Sequence, residues 1–249
     1  MTNRADIASM REFLAKFNAF ERGLMSEKVE AEKRAFVKLF DQFRPLARAL
    51  DEKLQEIAPR YNVFDILNIR HYEAKVHTPF LAHLLRPDAS HLQGRLFFDL
   101  IVGKILADTF DPEAITNIEV FEELSIPDGR MDIFIKYRFK GKKRVMMIEN
   151  KIYHIDTEGQ LEKYYDYLTK TLKLKTGDFH LVYLKPNRGK PDPISLPEVL
   201  YDQLKESESF IEIGYKQDLL TWLPLVLEKI KAPVVRATLH QYIETIKLL

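Results

Sequence analysis

Not one cysteine occurs among the 249 residues. That alone excludes disulfides, zinc fingers, iron–sulfur clusters and thiol nucleophiles, and it suits a reducing compartment. Charge of one sign is also lacking. The chain carries 38 Lys and Arg against 37 Asp and Glu, so there is no global signature of nucleic-acid binding and any such case rests on local patches. No apolar run is long enough to span a bilayer, and the opening MTNRADIASMREF lacks the apolar centre of a signal peptide. The expectation is a soluble, cytoplasmic protein with no membrane partner. Gly-x-x-x-x-Gly-Lys, His-Glu-x-x-His and Gly-x-Ser-x-Gly do not occur, which argues against ATP-driven translocation, zinc peptidase and serine hydrolase chemistry. Internal repeats and low-complexity tracts are missing too.

What is present is enough apolar residue, 46%, to bury a core in one large domain or a domain with an appendage. Two parts are expected: an N-terminal helical segment over 1–60 and a domain over 61–249. In the first, Ile7, Met10, Leu14, Phe17 and Phe20 recur at helical spacing, as do Phe36, Leu39, Phe40, Phe43, Leu46, Leu50, Leu54 and Ile57. Pro45 should kink this second run or start a new helix. The stripe fits a layer packed on the main domain. The alternative is an arm that meets a partner or forms a homodimer.

Further on, HTPFLAHLLRP predicts a helix with Thr78 as N-cap and Pro79 in the first position. Another helix is expected over about Leu92 to Phe110. The period then changes. NIEVFEELSI, GRMDIFIKY and KRVMMIENKI read as three strands, the last two a hairpin around RFKGKKR. TEGQLEKYYDYLTKTLKL is an amphipathic helix, FHLVYLKP a fourth strand and PNRGKPDP a loop. YKQDLLTWLPLVLEKI is helical with a kink expected at Pro224, and a last helix starts at Pro233. A mixed sheet covered by helices is built in this order, with strands three and four parallel across a helical crossover.

Ionisable residues inside these strands need explaining. Side chains alternate faces along a strand. Val145, Met147, Glu149 and Lys151 therefore share one face, and Met146, Ile148, Asn150 and Ile152 the other. Asp132 falls on the face of Phe134, opposite Met131, Ile133 and Ile135. Hairpin pairing can bring Asp132 near Glu149 and Lys151. Buried charges cost several kcal/mol each unless compensated, and neighbouring carboxylates repel. A divalent cation such as Mg²⁺ resolves that conflict with one or two carboxylates, water and phosphate oxygens. Lys151 would stand where a phosphate enters and could help orient or deprotonate an attacking water. The alternative is a structural salt bridge at a strand end.

The run GRMDIFI…VMMIENKIYHIDTEGQLEKYYDYL resembles the PD-(D/E)XK nuclease superfamily, in its bacterial branches with Asp, then Glu-Asn-Lys, then Gly-Gln-Leu-x-x-Tyr. NVFDILNIRHYEAKVHTPFLAHLLRPDASH is similar to the helical lead-in of the same group. The resemblance covers about Asn62 to Pro186. It implies a restriction-endonuclease-like α/β fold with an αβββαβ core and hydrolysis of phosphodiesters in nucleic acid, DNA foremost, with Mg²⁺ or Mn²⁺. On that resemblance Asp132 and Glu149 are the metal-binding acids and the backbone carbonyl of Asn150 completes the protein ligands. Lys151 is the motif lysine, Gln160 a glutamine pointing into the site, and Glu73 an additional acid. The literal Pro-Asp is replaced by Met131-Asp132.

Each supporting residue has a second reading. Thr157 and Gln160 match a capping box, with Gln160 turned back to the Thr157 amide. Glu73 reads also as a solvated loop acid. His77 is a candidate support for the site, His83 packing or surface, and His154 a candidate phosphate contact. The six cations of KYRFKGKKR fit either a phosphate backbone or a solvated hairpin tip. Of Tyr164, Tyr165 and Tyr167, some belong to the core and one is a candidate to meet a base or phosphate. The rival function is a catalytically silent module of the same fold that binds nucleic acid or a protein.

Overall fold

Residues 4–106 and 111–249 are described by a computed structural model, with side chains from Ser9 onward. By density of contacts the chain divides into two units, Met1–Tyr61 and Asn62–Leu249.

The first unit is a helix of 54 residues, α1 (Arg4–Ile57), roughly 80 Å long at the α-helical rise. Ala, Leu, Glu, Lys and Arg dominate it, and all favour helix. Surface pairs such as Glu12–Lys16 at 2.8 Å reinforce it. The helix continues through Pro45. The expected start of a new helix there does not occur: losing one hydrogen bond does not break a helix held by dozens. Its apolar stripe lies in solvent, Phe36, Leu39, Phe43, Leu46 and Leu50 being between 47% and 64% exposed.

The second unit is built on a five-stranded mixed sheet in sequence order. Short helix α2 (Val63–Ile66) is capped by the Asn62 side chain. A π-helical turn (Glu73–His77) runs directly into α3 (Thr78–Leu85). Thr78 is therefore not an N-cap. It lies inside a continuous helical stretch, which frees its hydroxyl for a tertiary bond. Helix α4 spans Leu96–Leu106; it starts later than expected, and residues 107–110 of that expected helix lie outside the described ones. Strands β1 (Ile115–Ile126), β2 (Gly129–Phe139) and β3 (Lys142–Asn150) form an antiparallel meander. Helix α5 (Gln160–Asp166) and a π turn (Tyr167–Thr171) cross over to β4 (Phe179–Lys185), which pairs parallel to β3. The αβββαβ order is thus present, and the fold is the expected restriction-endonuclease-like α/β arrangement.

Two elements were not anticipated. Helix α6 (Glu198–Glu206) crosses to a fifth strand, β5 (Phe210–Gly214), parallel to β4. FIEIG is too short for alternation to register. The chain closes with a π turn (Tyr215–Leu219), α7 (Leu220–Leu227), which contains Pro224, and α8 (Pro233–Lys247), which begins at the expected proline.

The sheet separates two apolar layers. On one side Ile133, Ile135, Met146, Ile148, Val182 and Leu184 pack against α3, α4, α7 and α8. On the other, Phe134, Val145, Met147, Phe179, Leu181 and Tyr183 pack against α5 and α6 through Leu161, Tyr164, Tyr201 and Leu204. Alternation along β3 follows expectation. Along β2 it fails at one place: Met131 joins Phe134 in the α5 layer instead of facing Ile133's side. Pairing of β2 with β3 begins only at Ile133–Ile148, so the strand is free to turn away at Asp132.

Candidate active site

The separation of β2 from β3 opens a cleft of about 480 Å³, lined by Glu73, Arg130, Asp132, Glu149, Lys151, His154, Gln160, Lys163 and Tyr164 among others. All the side chains singled out as acids, lysine and glutamine meet here. They come from four places: the π turn before α3, the start of β2, the end of β3 and the first residue of α5.

Glu149 is the centre. It is 1% exposed and faces the α5 layer. Its Oε1 accepts from Lys151 Nζ at 3.0 Å and from Gln160 Nε2 at 2.7 Å. Its Oε2 is buried without a hydrogen-bond partner. A buried carboxylate oxygen left without a donor is costly, by about 1–3 kcal/mol or more. Burial pushes the Glu149 carboxyl well above its ordinary range, and the nearby Asp132 charge pushes it further, against the pull of Lys151.

Asp132 sits where β2 departs, and its Oδ2 accepts the Asn150 backbone N–H at 2.9 Å. Burial raises its carboxyl to about 6; the Asn150 N–H opposes that rise, and the charge of Glu73 adds to it. Lys151 is raised too, which for an amine favours the charged form. Burial alone would lower it, but the charge of Glu149 and its hydrogen bond outweigh burial, helped by Glu73 and Asp132. It therefore stays an ammonium, which disfavours the expectation that it deprotonates water. Two acids that burial pushes toward protonation, beside a lysine held charged, form a group whose strain a divalent cation would relieve.

Glu73 is not a solvated loop acid. It is 7% exposed; its Oε2 accepts the Ile152 N–H at 2.5 Å and its Oε1 lies 3.3 Å from His154 Nδ1. Among the described residues no group of three or more His, Asp or Glu is arranged as a ready metal cage. The acids lining the cleft are Asp128, Asp132 and Glu149, with Glu73 engaged beside them.

The Gln160 side chain points into the site and touches Thr157 only through the threonine hydroxyl. Its amide nitrogen serves Glu149 and Tyr164 Oη (3.0 Å), while its Oε1 takes the Thr157 hydroxyl at 3.2 Å. The reach back to the Thr157 amide does not form; Gly159, at φ +63, precedes the helix instead. Of the three tyrosines weighed as core or as a base or phosphate contact, Tyr164 is buried. Its hydroxyl donates to the Arg130 carbonyl at 2.6 Å, tying α5 to the departing end of β2.

Behind the cleft is a buried polar chain that nothing in the sequence pattern marked. Asn150 turns its side chain away from Glu149, donating to Thr78 Oγ1 at 3.1 Å and accepting from Tyr215 Oη at 2.9 Å. Tyr215 packs edge-on to His77. His77 bonds Tyr242 Oη at 3.0 Å and the Arg70 carbonyl at 2.7 Å. His77 lies in this chain behind the cleft, while His83 bonds Ser90 and meets His91 edge-on, away from the cleft lining. The basic hairpin tip stands apart: Lys140 and Gly141 lie at the far end of β2 and β3, roughly 25 Å along the strands from Glu149. Its cations are also partly spoken for, Arg144 by Asp178 and Lys136 over Phe121.

A family model described as the PD-(D/E)XK nuclease superfamily matches residues 61–247. No curated protein and no solved structure matches the chain.

Proposed function

Because the chain belongs to the PD-(D/E)XK nuclease superfamily, we propose that it is an active nuclease that hydrolyses phosphodiester bonds, DNA foremost, at the cleft between β2 and β3. Membership makes nuclease the function class, and members generally use divalent metal ions. The observation that carries an active site here is the orphaned Glu149 Oε2 beside the Asp132 carboxylate. A site that had lost its chemistry would have no reason to keep a buried, unpartnered carboxylate next to another acid.

The donor set fits a hard cation. Asp132, Glu149 and the Asn150 carbonyl are the ligands that would hold Mg²⁺ or Mn²⁺, with Glu73 the additional acid. When bound, the ion would polarise the scissile phosphate and acidify a bound water. Lys151, held charged by Glu149, supplies a fixed positive group toward the phosphate as negative charge builds on it. Gln160 orients Glu149 through Oε1 and leaves Oε2 to the cleft. Tyr164 fixes Gln160 and the Arg130 carbonyl together, so the cleft's two walls keep their spacing. Arg130 and Lys163, on the rim, would take flanking phosphates without reading sequence.

Incubation with single- and double-stranded DNA and RNA in Mn²⁺, read on a gel, tests the reading. Wild type should cut, and Asp132→Ala and Lys151→Ala should not, while both keep a folded circular dichroism spectrum. Cleavage unchanged in both variants refutes the assignment. A folded wild type that binds no metal at millimolar concentration and cuts nothing favours the silent binding module. A cytoplasmic setting is part of the proposal. So is pairing of two copies through the solvent-exposed stripe of α1, since a long apolar seam at heptad-like spacing gains by being covered. Phe36→Glu with Phe43→Glu should lower the mass seen in sedimentation; an unchanged mass removes that pairing.

A further inference from the structure

Between the end of β3 and the start of α5 the chain runs as an irregular segment, residues 151–159, along the rim of the cleft. It is anchored at two points. Ile152 is buried in the core, with its N–H on Glu73. His154 lies against Glu73. Asp156 accepts from Tyr183 Oη and from the Asp192 N–H, both at 2.7 Å. Between these anchors Tyr153 and Ile155 stand in solvent, 57% and 84% exposed. Ile155 nevertheless lines the cleft together with Lys151 and His154.

This is an unusual use of side chains. A loop that merely connects two elements has no need of an anchor on each side of its middle, and exposed loops favour small polar residues. Here Ile152 and Asp156 are fixed on either side, so the two apolar residues between them are held outward with less conformational freedom left to lose on binding. The surroundings say what they would meet. Ile155 lines the cleft with the acids and Lys151, Tyr153 stands two residues before it, and Arg130 and Lys163 line the same cleft, so an occupant that fits offers flat apolar faces attached to phosphates. Nucleobases do so only where they are unstacked.

On the nuclease reading above, we propose that Tyr153 and Ile155 form a stacking platform for the bases next to the cleaved phosphate. The preferred substrate is then nucleic acid whose bases are unpaired at the cut: single strands, frayed ends or loops. Tyr153 stacks on one face of a base, and Ile155 fills the step beside it, as apolar wedges do between bases.

The test is steady-state cleavage in Mn²⁺ of a single-stranded oligonucleotide and of a long matched duplex. It compares wild type with Tyr153→Ala, Ile155→Ala and Tyr153→Trp. Tyr153→Ala should raise KM on the single strand about tenfold, with kcat little changed, in line with the loss of one stacked base. Tyr153→Trp should restore it. Once the cut is mapped, an abasic residue at its flank should abolish the difference between Tyr153→Ala and wild type. Equal KM for wild type and both alanine variants overturns the platform, as does an equal loss on intact strand, abasic strand and duplex. If wild type cuts neither substrate, the nuclease reading itself falls and the platform with it. Cleavage by wild type without these KM effects removes the platform alone.

Discussion

Replacing Asp132 by asparagine should stabilise the metal-free protein. Burial and the nearby Glu73 charge hold this carboxyl at about 6 instead of its ordinary 3.8. In the unfolded chain it returns to the ordinary value. Below pH 4 the acid is protonated in both states and contributes nothing. Between about pH 4 and 6 the folded state keeps a proton the unfolded chain has released, so stability falls as pH rises. Above pH 6 the whole penalty is present. A rise of about two pH units corresponds to about 3 kcal/mol. Asparagine keeps the shape and an oxygen for the Asn150 N–H but sheds the charge, so it removes most of that penalty. It also withdraws one of the charges that raise Glu149. For a domain of this size, about 3 kcal/mol is a Tm rise of about 6–12 °C. The assay is thermal and urea unfolding in EDTA at pH 4, 5 and 7.5. The gap between Asp132→Asn and wild type should be small at pH 4 and largest at pH 7.5. Millimolar Mg²⁺ at pH 7.5 should narrow it by stabilising wild type only. An asparagine variant no more stable than wild type at pH 7.5 in EDTA, or a gap independent of pH, refutes the electrostatic strain on which the metal assignment rests.

Further perturbations separate the roles of neighbouring residues. Asn150→Ala should destabilise by about 2–4 kcal/mol in urea unfolding, because Thr78 and Tyr215 lose a buried partner together. Tyr215→Phe removes one hydroxyl and should cost about 1 kcal/mol by the same assay. Gln160→Ala should leave Tm nearly unchanged and reduce cleavage by about tenfold to a hundredfold, since Glu149 loses an orienting bond at the cleft's edge. Lys151→Met should abolish cleavage yet tighten Mn²⁺ binding in calorimetry, because a cation that competes for Glu149 is gone. Weaker binding in that variant would make Lys151 part of the metal's support.

Much of the site was legible because it is local. Glu149 and Asn150 end one strand with Lys151 directly after them, and strict alternation sends Glu149 and Asn150 to opposite faces of the sheet without further information. Gln160 follows ten residues later at a helix start. Glu73 was harder: its sequence surroundings resemble a loop, and only the fold buries it against the Ile152 amide. Thr78 was misplaced for a related reason. Thr-Pro is a sound local signal for a helix start, but the π turn before it carries the helix upstream, and the hydroxyl serves Asn150 instead. Asp132 shows the opposite case. Its presence near Glu149 was expected from pairing, yet the strand leaves the ladder at that residue, and the alternation that placed Met131 opposite Phe134 stops there.

Taken alone, the sequence determined what depends on near neighbours: the helix and strand periods, the hairpin, and the facing of each side chain on β3. Backbone geometry repeats over two or four residues, so those properties are set within a short window. The tertiary structure alone decided which distant groups share the cleft. The partners of Asn150 lie 72 and 65 residues away, and that of Ile152 lies 79 away. It also left Glu149 Oε2 without a donor, a consequence of how four separate elements pack and of no pattern along the chain.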